Sequence, residues 1–98
     1  MDAVETNILV YAHRREAREH ELAAQAVRQL AEGEVPWAIP WPCLYEFFSV
    51  VTNRRIWRDN VSSGEQAWDQ IEAWLESPNL RLLAETDGFA VVLRKFAD

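Results

Sequence analysis

The chain has 98 residues, 49% hydrophobic and 27% charged, with three Gly and four Pro. That is the composition of one small globular domain, and it excludes a second domain, a disordered chain and a fibrous one. A formal net charge of -6 also excludes a protein that holds nucleic acid chiefly by neutralising its phosphates.

Ile8 to Ala12 form a short apolar run after Val4-Glu5-Thr6-Asn7 and read as the first strand, with a helix predicted from Glu16 to Glu32. Leu22, Ala23, Ala26, Val27 and Leu30 give that helix its apolar stripe, and Gly33 ends it. Val35 to Ile39 is the second strand, and Pro40 and Pro42 open the next helix. There Leu44, Phe47, Phe48 and Val51 recur at i, i+3, i+4 and i+7, which leaves Glu46 roughly opposite the stripe.

Residues 53 to 61 have no clean period and read as a loop, followed by a Ser62 to Glu65 capping box and a helix to about Glu76. Trp68, Ile71 and Leu75 are its predicted inner face, with Trp74 at the flank. Leu80 to Leu83 is a third strand, and Thr86 to Phe96 a last helix with Phe89, Val92, Leu93 and Phe96 on one side. Strands alternating with helices predict an α/β fold with a parallel sheet covered on both faces.

The lone Cys43 makes no internal disulfide and reads as an inert interior thiol in a reducing compartment. The opening Met-Asp-Ala-Val-Glu lacks a basic, apolar leader, and no stretch is long enough to span a bilayer, so the expectation is a cytoplasmic protein without a membrane partner. There is no glycine-rich phosphate loop and no nucleophile elbow, and His13 and His20 read as exposed or half-packed. What remains is a pair of carboxylates. Glu5 ends the first strand, where ligands of an open parallel sheet collect, and Glu46 lies in the first two turns of the helix after strand two. Two such carboxylates can hold Mg²⁺, which leaves coordination positions for water and phosphate oxygens and lowers the pKa of a bound water.

The string Val4-Glu5-Thr6-Asn7-Ile8-Leu9-Val10-Tyr11-Ala12 resembles the opening of PIN-domain nucleases, in particular the VapC-like toxins of bacterial toxin-antitoxin pairs. Pro36 to Pro42, Leu44-Tyr45-Glu46-Phe47 and Val50-Val51-Thr52 are similar to that family's second strand and the helix bearing its second acid. The resemblance implies a PIN-like three-layer sandwich, a short parallel sheet flanked by helices, that binds Mg²⁺ or Mn²⁺ and hydrolyses RNA phosphodiester bonds, with a cognate antitoxin occupying its pocket. Glu5 takes the place of the first acid, usually Asp in the family, Glu46 that of the second, and Thr6 and Asn7 those of the supporting polar residues.

The family's remaining acids follow the segment equivalent to Phe89 to Phe96, and this sequence ends at Asp98. The resemblance therefore implies a single incomplete PIN-like domain, residues 1 to 98, lacking the last βα elements. That would leave the first strand at a sheet edge and favour a homodimer. Arg54, Arg55 and Arg58 around Trp57 are the candidate RNA contact, with Trp57 as an exposed stacking ring and Trp37, Trp41 and Trp68 as packing residues. The alternative to a nuclease is a catalytically inactive PIN fragment that acts only by binding an antitoxin or a second copy of itself.

Overall fold

A computed structural model of the protein describes residues 2 to 84. The helix predicted over Thr86 to Phe96 lies outside the described residues.

The chain starts with β1 (Asp2–Ala3), and α1 (Thr6–His13) follows after only two residues. The run Ile8 to Ala12 is therefore helix and not strand. A short apolar run fits either state. Here Leu9 and Val10 are buried, and His13, one turn beyond Leu9, lies edge-on to the Phe47 ring at 5.3 Å. Next come α2 (His20–Glu32), β2 (Trp37–Pro40) and α3 (Trp41–Val51), the last opened by Pro42 at a position that needs no amide donor.

The segment predicted as a loop forms two short turns of helix, α4 (Arg54–Trp57) and a 3₁₀ turn (Arg58–Asn60). Asn53 starts α4 by accepting the Arg55 amide on its side chain at 2.9 Å. Arg58 joins the two turns with φ of 52°, a left-handed backbone rarely taken by a residue with a side chain. Then come α5 (Gly64–Leu75) and β3 (Leu80–Leu83), the latter as predicted.

The three strands are parallel in the order β1-β2-β3, so among the described residues β2 is central and β1 and β3 are the edges. Asp2 pairs with Trp37 and Ala3 with Ala38, and the Val4 amide donates to the Ala38 carbonyl at 2.9 Å. Strand alternation sends Trp37, Ile39, Leu80 and Leu82 into the main core, where they meet Leu9, Val10, Val27, Leu44, Phe47, Val51, Ile71 and Trp74. Ala3, Ala38 and Leu83 form a small second cluster from the opposite side chains of the sheet. The architecture is α/β with a short parallel sheet flanked by helices, in agreement with the sequence reading.

Several predicted core positions turn outward. Leu22 is 79% exposed, because α2 buries Ala23 and Val27 instead. On α5 the inner face is Ala67, Ile71 and Trp74, spaced i, i+4, i+7, so Trp68 and Leu75 lie partly in solvent. Trp37 is fully buried as predicted, but Trp41 is exposed. The capping box is Ser63 with Gln66, one residue later than read, because Ser62 turns inward to meet His13 and Arg14.

Candidate active site

Parallel strands deliver their following segments to one edge of the sheet, and two of those segments carry the predicted acids. Glu5 is the residue before α1, with extended backbone (φ −90°, ψ 173°). Its side chain makes no capping bond to the helix, so the carboxylate is left for other partners. Glu46 lies halfway along α3, on its exposed side, as the stripe of Leu44, Phe47 and Val51 requires.

Thr6 joins the two elements. Its hydroxyl donates to Glu46 Oε2 at 3.2 Å, across a sequence separation of 40 residues. Cys43, one turn before Glu46, sits beneath this contact as a buried free thiol. Burial pushes its pKa up, hydrogen bonds with Thr6 oppose the rise, and the charges of Glu46 and Glu5 add to it. The Thr6–Glu46 bond brings α1 and α3 together at the carboxyl edge of the sheet, and Glu5 directly precedes Thr6 in the chain. Asn7 is exposed on the first turn of α1.

Among the described residues no group of three His, Cys, Asp or Glu side chains gathers to hold a metal. The chain offers two carboxylates and a hydroxyl, a hard oxygen set. That set suits Mg²⁺, which takes one or two protein carboxylates and completes its shell with water and substrate oxygens. It falls short of the four nitrogen or sulfur ligands of a structural zinc site.

The basic segment is elsewhere. Arg54, Arg55 and Arg58 are exposed, but they follow the far end of α3, a helix of 11 residues and so about 16 Å long. Trp57 is not the free ring the sequence reading expected. Its indole N–H donates to the Val50 carbonyl at 2.8 Å, and the Arg14 guanidinium lies 4.2 Å over the ring centre.

A polar network that sequence reasoning missed sits beside that ring. Arg14, only 6% exposed, pairs with Glu16 and donates to Ser62 Oγ at 2.9 Å. His13 Nδ1 lies 3.1 Å from Gln70 Oε1 and Nε2 2.9 Å from Ser62 Oγ. An amide oxygen only accepts, so Nδ1 carries the proton and Nε2 accepts from Ser62. Burial is the main reason that the His13 pKa is lowered, and the charge of Arg14 adds to it. The network borders a cleft of about 900 Å³ at the opposite end of α1 from Glu5. The signal for it was faint: a histidine and an arginine just past an apolar run, and two adjacent serines.

No family model matches the chain. Curated proteins do. A VapC ribonuclease of Mycobacterium bovis and ribonuclease VapC43 of Mycobacterium tuberculosis are each 34% identical to it over 97 residues, 99% of this chain and 65% of theirs. The chain therefore spans about 65% of the length of the relatives it matches. The similarity runs along 99% of this chain, which resembles these VapC ribonucleases over the part of their length that it spans.

Proposed function

We propose that the chain carries part of the site of a VapC-type endoribonuclease that hydrolyses RNA phosphodiester bonds with Mg²⁺ or Mn²⁺. The observation that supports this most is the 3.2 Å hydrogen bond from Thr6, the residue after Glu5, to Glu46, which joins residues 40 positions apart. Glu5 and Glu46 are the carboxylates that would hold the cation. Thr6 fixes the direction of one Glu46 oxygen, leaving the other free to bind, and Asn7 adds an exposed amide at the same helix start. A bound divalent ion would supply charge stabilisation at the scissile phosphate and acidify water.

RNA is the substrate in this reading, and a cognate antitoxin that covers the acidic pocket is the protein partner. Self-association along β1, an edge strand among the described residues, belongs to the same proposal. So does a cytoplasmic location. Among the described residues no helix is long and apolar enough to cross a membrane.

The test is cleavage of a labelled RNA under Mg²⁺ or Mn²⁺ titration, comparing the chain with Glu5→Gln and Glu46→Gln. Each substitution should remove most of the metal-dependent cleavage. Cleavage that needs no metal, or that survives both changes, would sink the assignment.

A further inference from the structure

Trp41 and Tyr45 stand one helical turn apart on α3 and are 46% and 70% exposed. Their ring centroids are 6.2 Å apart with planes tilted by 32°. Neither ring belongs to the core clusters. Single exposed apolar side chains are ordinary. What distinguishes this pair is its place: Trp41 directly follows the carboxyl end of β2, and Tyr45 precedes Glu46 in the chain. The pair therefore lies toward the sheet edge that gathers the acids, while the exposed Arg54, Arg55 and Arg58 follow the other end of the same helix.

Charge restricts what can dock there. With a net charge of -6 and two carboxylates nearby, this end of the molecule gives a polyanion little electrostatic attraction. Stacking needs no positive charge, because every nucleobase has a π-face that an aromatic side chain can cover. The 6.2 Å between the rings is less than two stacking intervals of about 3.4 Å, so a base would lie on an outer face of the pair and not between the rings. A base in a duplex already has both faces covered by its neighbours.

We propose that Trp41 and Tyr45 form a stacking platform that takes unpaired nucleobases of single-stranded RNA beside Glu46. The proposal rests on the ribonuclease reading above and adds how that site selects and positions its substrate. Trp41 and Tyr45 hold bases, while the carboxylates act at the phosphate.

The experiment is equilibrium binding of a labelled short oligouridine to the full chain in chelator, where cleavage is off and stacking is unaffected. The double variant Trp41→Ala, Tyr45→Ala should bind about tenfold more weakly or worse, as expected for the loss of one or two stacked bases. Phe at both positions should keep most of the affinity, and an abasic oligomer of equal length should bind wild type and double variant alike. An unchanged melting temperature shows that the double variant is folded. Unchanged oligouridine affinity, or an equal loss with the abasic oligomer, overturns the platform. Loss of antitoxin binding with oligouridine binding intact also overturns it and makes the face a protein interface. If Glu5→Gln and Glu46→Gln leave cleavage untouched while the aromatic variants still lose oligouridine, the acid site fails and the platform stands.

Discussion

The Thr6 hydroxyl donates to Glu46 Oε2 at 3.2 Å, so the first turn of α1 is tied to the middle of α3 by a side-chain hydrogen bond in partly open surroundings. In the proposed site that bond aims the carboxylate. Thr6→Val keeps the shape and removes the donor. Metal affinity, followed by calorimetry, should fall about 10- to 100-fold, the usual cost of losing a partner to a metal-binding side chain. Thr6→Ser should restore it. Stability should move by no more than about 0.5 kcal/mol, because the bond is solvent-exposed. Metal affinity unchanged by Thr6→Val would remove Thr6 from the site.

Glu5→Asp separates two effects. Glu5 occupies the N-cap of α1 without capping it. Aspartate caps well and is worth about 0.5 to 2 kcal/mol at such a position, so thermal unfolding should move upward. If the family's shorter acid also suits the cation better, metal affinity and cleavage should rise together. A higher melting temperature with weaker metal binding would mean that the cap has consumed the carboxylate.

The His13 network predicts acid sensitivity. Burial lowers the folded-state pKa of His13 below its ordinary 6.5. Between the two values the unfolded chain binds more protons than the folded one, so stability is present above pH ~6.5 and is lost as pH falls toward the folded value. Denaturant titrations across this range should show the loss, and His13→Asn should flatten the part of it that belongs to this residue. A slope unchanged by His13→Asn would assign the effect to other groups.

Phe47 is fully buried, edge-on to Trp74 at 4.8 Å and to His13 at 5.3 Å. Phe47→Ala should cost about 3 to 5 kcal/mol by opening a cavity between α1, α3 and α5. That is a large share of the ~5 to 15 kcal/mol available to a domain of this size, and circular dichroism should show a midpoint far below wild type. A shift of only a few degrees would contradict the packing described.

Arg58 holds a φ of 52° between α4 and the 3₁₀ turn. Glycine takes that backbone without a steric cost, so Arg58→Gly should be neutral or stabilising by up to about 1 kcal/mol, whereas Arg58→Ala should not stabilise. Thermal unfolding of the two variants decides it.

Much of the site was legible because the periodicity of α3 is strong. Leu44, Phe47 and Val51 bury one side, and that alone places Glu46 outside. Glu5 was placed at a strand end for a partly wrong reason. The strand is Asp2–Ala3, too short to show alternation, and the run read as strand is the helix that follows. Tertiary packing decided the rest. Two adjacent serines offer two capping frames, and the inward pull of His13 and Arg14 on Ser62 selects Ser63. Trp57 looked free among arginines until Arg14, from a distant part of the chain, covered its ring.

The pairing of Asp2 with Trp37 and Ala3 with Ala38 acts as a gauge for the whole acidic corner. A strand advances about 3.3 Å per residue, so slipping that ladder by one step would drag the start of α1 past α3 by more than the length of a hydrogen bond and turn the side chains of β1 over. Thr6 would leave Glu46, and Glu5 would leave the edge it shares with it. Two rungs of backbone therefore set the spacing between the carboxylates, and a substitution that loosens them, such as proline at Ala3, would detune the acids without touching either one.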